Sequence, residues 1–131
     1  NININFNNNK KEIFLNSDRE QIARVFFNLI KNSIESIQEK AQKNGDFAKK
    51  INIEIVGKND YIDFTINDNG IGVSEKDLKH ILKPYYTTKL KGSGLGLSIV
   101  NKIIYDHNGK INFEKQRSGA KINIKFQKNG N

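Results

Sequence analysis

The chain contains no cysteine, no methionine and a single proline among its 131 residues. Without Cys there is no disulfide and no thiolate chemistry, a composition compatible with a reducing cytoplasm. No apolar run approaches the roughly 18 residues that a membrane span requires, and no signal peptide opens the chain. The first residues are Asn-rich and lack Met, which reads as excision from a longer protein. The length suits one domain with one core. Acidic residues are the minority: 14 Asp and Glu face 22 Lys and Arg, giving a net charge of +8. Those cations are spread along the chain rather than gathered in a dense run, so the charge does not single out nucleic acid as a partner.

What the chain does have is glycine in two clusters. Tyr61-Ile62-Asp63-Phe64-Thr65-Ile66 alternates apolar and polar and leads into Asp68-Asn69-Gly70-Ile71-Gly72. Further on, Gly92-Ser93-Gly94-Leu95-Gly96-Leu97 opens onto the helical run Ser98-Ile99-Val100-Asn101-Lys102-Ile103-Ile104. Glycines at a strand end allow close backbone approach. Glycines at a helix start aim unpaired N–H groups outward at the positive dipole end, which suits phosphate. A carboxylate beside the first cluster and an anion cradle at the second together suggest a nucleotide.

The remaining segments fall into place around these motifs. Residues 1–15 carry two strand-like runs split by Asn7-Asn8-Asn9-Lys10-Lys11 and predict a half-buried hairpin. Ser17-Asp18-Arg19-Glu20 is a capping-box pattern with Ser17 as N-cap. The helix that follows to about Lys43 has an apolar stripe of Ile22, Phe26, Leu29, Ile30, Ser33 and Ile37, and stops at Asn44-Gly45. Asn28, Asn32, Glu35 and Glu39 lie on its opposite face. Asn is a poor helix-interior residue because its amide competes with the backbone, so two of them one turn apart read as ligand groups. Ile51–Val56 and Tyr61–Asn67 form a hairpin across Gly57-Lys58-Asn59-Asp60. Ser74-Glu75-Lys76-Asp77 caps a short helix that ends at Pro84, and the polar segment Tyr85–Lys91 is expected to form a lid. A helix from about Leu95 to His107 ends at Asn108-Gly109, and a last hairpin turns around Arg117-Ser118-Gly119.

With these motifs in order, nearly the whole chain resembles the ATP-binding catalytic domain of bacterial sensor histidine kinases, within the wider gyrase, heat-shock chaperone and mismatch-repair ATPase family. Asn28-Leu29-Ile30-Lys31-Asn32-Ser33-Ile34-Glu35 resembles the N box, and Asp68-Asn69-Gly70-Ile71-Gly72 the first glycine box. Leu82-Lys83-Pro84-Tyr85 resembles the F box with Tyr85 for Phe, and Gly92–Leu97 the second glycine box. The segment Pro84–Lys89 and the short lid look most like the nitrogen-regulation type. The resemblance implies an α+β domain over 1–131, a two-layer α/β sandwich of the Bergerat type, with a mixed β-sheet and helices on one face.

The same resemblance implies ATP and Mg²⁺ as cofactors. Asp68 would accept from the adenine amino group, with Gly70 and Gly72 against the base. Asn32 would hold Mg²⁺ with Asn28 beside it, as oxygen donors to a hard cation. Backbone at Gly92, Gly94, Leu95, Gly96 and Leu97 would cradle phosphates, while Lys89 and Thr88 would reach the γ-phosphate from the lid. Asn32 and Lys89 are the expected catalytic residues. Related ATPases and anti-sigma serine kinases resemble one another in having Glu where this chain has Asn28, which cannot act as a general base. Slow hydrolysis and transfer of the γ-phosphoryl group to a histidine are therefore expected. Two departures stand out: Glu35 replaces a common Lys, and Ser118-Gly119-Ala120 is a poor last glycine box and gets no site role. Neither His80 nor His107 has the surroundings of a phosphoacceptor.

The expected partners are an upstream dimerisation and histidine-phosphoacceptor domain and a response regulator of a two-component pathway, with no nucleic acid. The domain would be cytoplasmic, and the full-length protein a homodimer compatible with inner-membrane anchoring. Two other readings remain open on the sequence: a non-catalytic nucleotide-binding regulatory module, and a hydrolysing ATPase of the gyrase or chaperone kind, which Asn28 opposes.

Overall fold

The computed structural model of the protein describes residues 1–10, 13, 15, 17–82, 96–114 and 116–128. The elements run β1 (Ile2–Asn8), α1 (Arg19–Asn44), β2 (Lys49–Gly57), β3 (Tyr61–Asp68), α2 (Glu75–Leu78), α3 (Gly96–Asp106), β4 (Gly109–Glu114) and β5 (Ala120–Gln127). The strands form one mixed sheet in the order β1-β2-β3-β5-β4. All neighbours are antiparallel except β1 and β2. Helices cover one face, as the two-layer α+β reading expects.

The expected amino-terminal hairpin lies partly outside the described residues, which lack 11, 12, 14 and 16, and among those described the partner of β1 is a different strand. β1 pairs in parallel with β2, placing Ile4 opposite Ile51 and Phe6 opposite Ile53. Parallel neighbours need a long crossover, which α1 supplies, so the first strand finds its partner some 45 residues on rather than in the adjacent run. A period of two identifies a strand but says nothing of its partner. β1 is an edge strand, and Ile4 and Phe6 remain 49% and 57% exposed.

Helix α1 starts one residue later than the capping box suggests. Asp18, in extended conformation, is the N-cap, and its carboxylate accepts from the N–H groups of Glu20 and Gln21. A carboxylate satisfies two orphan donors there and also suits the dipole, an advantage Ser17 lacks. The helix ends as expected at Gly45, whose φ of 83° lets its N–H return to the Ala41 carbonyl. Val25, Leu29, Ser33 and Ile37 form the buried ridge, each one turn from the next. Phe26, beside this ridge, stacks on Phe64 of β3 with ring centroids 4.5 Å apart.

The sheet side of the core comes from every second residue: Ile51 and Ile53 on β2, Phe64 and Ile66 on β3, and Ile122, Ile124 and Phe126 on β5. Val100, Ile103 and Ile104 of α3 close it. On the opposite, polar face the Asn123 amide bonds Asp63 and Thr65 on the neighbouring strand. The two long helices are also tied end to end. The Asp18 N–H donates to His107 Nε2 at 3.0 Å, while His107 Nδ1 meets the Ile103 carbonyl at 2.7 Å. An accepting Nε2 leaves the ring proton on Nδ1.

Candidate functional site

Strand β3 buries Ile62, Phe64, Ile66 and Asp68 by strict alternation, so the fourth inward position holds a carboxylate. Asp68 is only 5% exposed. It pairs across the sheet with Ile51 on one side and Ala120 on the other. Burial pushes its carboxyl pKa above the ordinary value of 3.8. Hydrogen bonding from the Gly70 N–H opposes that rise most, followed by the nearby Ser33 hydroxyl dipole and the Ala120 N–H, with a smaller contribution from the Lys40 charge. The Gly70 N–H donates to Oδ1 at 2.8 Å. Ser33 Oγ faces the same carboxylate but makes no hydrogen bond of ordinary geometry, and it is the one buried side-chain polar atom without a partner among the described residues.

The loop after Asp68 is fastened on three sides. Asn69 donates to the Ala48 carbonyl and accepts from the Lys50 N–H, tying the loop to the start of β2. Lys40 of α1 donates to the Asn69 carbonyl at 3.0 Å, and the Ile71 N–H donates to both the carbonyl and the hydroxyl of Ser36. At Gly70 a Cβ would lie 2.3 Å from Ser36 Oγ and 2.8 Å from the Ile37 nitrogen. Glycine here is thus demanded by the approach of α1, a different reason from the contact with a base that the sequence suggests. On the third side, Gly119 (φ +78°) presses on the loop: its Cβ would fall 1.8 Å from the Asp68 carbonyl oxygen. Gly72 (φ +79°) in turn lies against the Gly119 carbonyl. The turn that the sequence left without a role therefore forms the floor of the site.

Asn28, Asn32, Ser36 and Lys40 follow one another at intervals of one turn and are all half-buried. Only the two asparagines stood out in the sequence; Ser36 and Lys40 continue the same ridge, a spacing signal that was there to be read. Asn28 points at the start of α3, its Oδ1 lying 4.0 Å from where a Cβ of Gly96 would stand. Asn28 of the amide ridge and the first turn of α3, which includes Gly96 and Leu97, are thus brought together. Pro84, Tyr85, Thr88, Lys89, Lys91, Gly92, Gly94 and Leu95 lie outside the described residues. A separate groove of about 390 Å³ lies between the end of α1, the Gly70–Ser74 loop and the β4–β5 turn, and neither Asp68 nor Asn32 lines it.

A sheet backed by helices, with a buried acid at a strand end beneath an amide-bearing helix, defines a class. Residues 17–130 match the family model described as histidine kinase-, DNA gyrase B- and HSP90-like ATPase, and the chain belongs to that family. Among curated proteins it is 36% identical over 120 residues to sporulation kinase A of Bacillus subtilis (strain 168), covering 91% of this chain and 18% of that one. It is 35% identical over 118 residues to the sensory histidine kinase/phosphatase NtrB of Rhizobium leguminosarum bv. phaseoli, covering 82% of this chain and 30% of that one. The chain thus spans less than a third of the length of these relatives. Among solved structures, the nucleotide-free catalytic domain of the histidine kinase ThkA superposes with a TM-score of 0.83 at 30% identity, covering 97% of this chain and 80% of that one.

Proposed function

We propose that this domain binds Mg-ATP and transfers the γ-phosphoryl group to a histidine on a separate domain of a two-component sensor kinase. The observation that carries the reading is the buried Asp68 carboxylate, set at an inward-facing strand position by a loop fastened to α1, β2 and the β4–β5 turn. A buried acid without a paired cation is costly, and a site that must accept from an exocyclic amine gives it a use.

The donor set on α1 fits a hard cation: Asn32, with Asn28 one turn before it, would hold Mg²⁺ through amide oxygen. Bound there, the ion would neutralise phosphate charge. The first N–H groups of α3, at Gly96 and Leu97, would bind phosphate oxygens, together with Gly92, Gly94 and Leu95. Lys89 and Thr88 complete the proposed site. Asn28 offers no carboxylate to activate water, so the domain would retain ATP until a nucleophile arrives. His107 is an unsuitable acceptor because both its ring nitrogens are engaged. The acceptor histidine would then sit on a dimerisation domain elsewhere in the full-length protein, with residues 1–131 as its ATP-binding part.

ThkA has been solved in complex with the response regulator protein TrrA, which supports a response regulator as the downstream partner here. No helix among the described residues is long and apolar enough to cross a membrane. We place the domain in the cytoplasm, where ATP is available, and leave anchoring to other parts of the full-length homodimer. The test is calorimetry of ATP with and without Mg²⁺, followed by transfer from γ-labelled ATP to the full-length protein. Micromolar to millimolar binding and an acid-labile phosphate are expected. Absence of ATP and ADP binding at millimolar ligand would refute the proposal.

A further inference from the structure

Ser33 occupies a position that its helix would fill better with an apolar residue. It interrupts the ridge Val25, Leu29, Ile37 and is 2% exposed, with neighbours in the ridge at 0%. Its hydroxyl has no hydrogen-bond partner. Burying an unsatisfied hydroxyl is unfavourable, and Ala is both smaller and a better helix former. A residue that weakens the fold at a place facing the candidate site calls for an explanation in terms of the site.

The hydroxyl faces Asp68, whose Oδ1 is engaged by the Gly70 N–H. A carboxylate with one oxygen fixed can still swing its second oxygen, and only that orientation sets where an incoming amine finds its acceptor. We propose that Ser33 is a positioning residue for base recognition: its hydroxyl donates to the Asp68 carboxylate when a 6-aminopurine nucleotide is bound and fixes the accepting oxygen towards the exocyclic amine. This rests on the nucleotide reading above. Ser33 acts through Asp68 and does not itself touch the ligand, since its oxygen is shut off from solvent.

The chemistry separates two purines that differ in the substituent at C6 and, with it, in whether N1 accepts or donates. ADP presents an amine donor at C6, whereas inosine diphosphate presents a carbonyl acceptor that an oriented carboxylate repels. Affinities of the chain for both nucleotides are measured by calorimetry for wild type, Ser33→Ala and Ser33→Thr, with a melting curve for each. The expected result is that Ser33→Ala melts at or above the wild-type temperature yet loses about tenfold of the preference for ADP over inosine diphosphate. Ser33→Thr, which keeps the hydroxyl, restores the preference. An unchanged ratio in a folded Ser33→Ala overturns the proposal, and so does a lower melting temperature with equal losses for both ligands, because that marks a purely structural role. If wild type binds neither nucleotide, the underlying ATP reading fails and takes this inference with it, an outcome distinct from an unchanged ratio.

Discussion

Replacing Asp68 by Asn separates what the residue does for the fold from what it does for a ligand. The substitution keeps an oxygen for the Gly70 N–H, which donates at 2.8 Å. It removes a negative charge from a position only 5% exposed. The carboxyl pKa in the folded protein lies above 3.8 because burial disfavours the charged form. The folded state therefore holds its proton more tightly than the unfolded chain, and ∂ΔG/∂pH from this group is negative. Its favourable contribution is fully present below pH 3.8 and is lost as pH rises through the folded-state pKa. Asp68→Asn abolishes that acid-range slope. At neutral pH the relief of charge burial is offset by an amide donor facing the Ala120 N–H, so stability should change by no more than about 1 kcal/mol. That is a shift of only about 2–8 °C in Tm.

Binding should respond very differently. A hydrogen bond to a charged acceptor is worth about 1.5–3 kcal/mol, and here an amide donor would confront an amine donor. The expected loss in ATP affinity is therefore about 10- to 150-fold or more. The assay is urea denaturation between pH 3 and pH 8 together with calorimetric titration of ATP. If Asp68→Asn binds ATP within about threefold of wild type, the carboxylate is not the base acceptor. If it melts far below wild type, the acid is structural and the reasoning about its burial is wrong.

Other substitutions test the remaining parts of the structure. Asn32→Ala should make ATP affinity insensitive to Mg²⁺ while shifting stability by less than about 1 kcal/mol, and titration with and without chelator reads both. Gly119→Ala places a Cβ 1.8 Å from the Asp68 carbonyl oxygen at a φ of +78°. Denaturant unfolding should show a loss of about 3 kcal/mol or more, and a wild-type midpoint with intact binding would contradict the packing described. His107→Ala removes the one hydrogen bond that ties the end of α3 to the Asp18 N–H at the start of α1, and with it the local bond to the Ile103 carbonyl within α3. It should cost roughly 1–2 kcal/mol by thermal melting and leave nucleotide affinity within about twofold.

Where sequence and structure differ, the difference has a physical cause. The capping box misplaced the start of α1 by one residue because Ser17 and Asp18 are both good caps and only the backbone conformation chooses between them. The first glycine box was legible as a strand end, but the reason for its glycines was not. Gly70 is glycine because Ser36 and Ile37 fill the space beside it, and that contact joins residues more than 30 positions apart. Gly119 looked dispensable because its local turn is imperfect as a motif; its role is to lie under Asp68 on the neighbouring strand.

The sequence by itself determined most of the elements and the inward alternation of β2, β3 and β5, because a period of two or 3.6 is a local property of a chain that buries one side; on α1 it marked Leu29, Ser33 and Ile37 but missed Val25. It also determined that an acid ends β3 and that two amides share one face of α1. Only the tertiary structure decided that β1 pairs with β2, that Asp68 is buried beneath Ser33, and that Lys40, Ser36 and Gly119 hold its loop. Those are contacts between distant segments, fixed by the packing of a helix on a sheet rather than by the preferences of neighbouring residues.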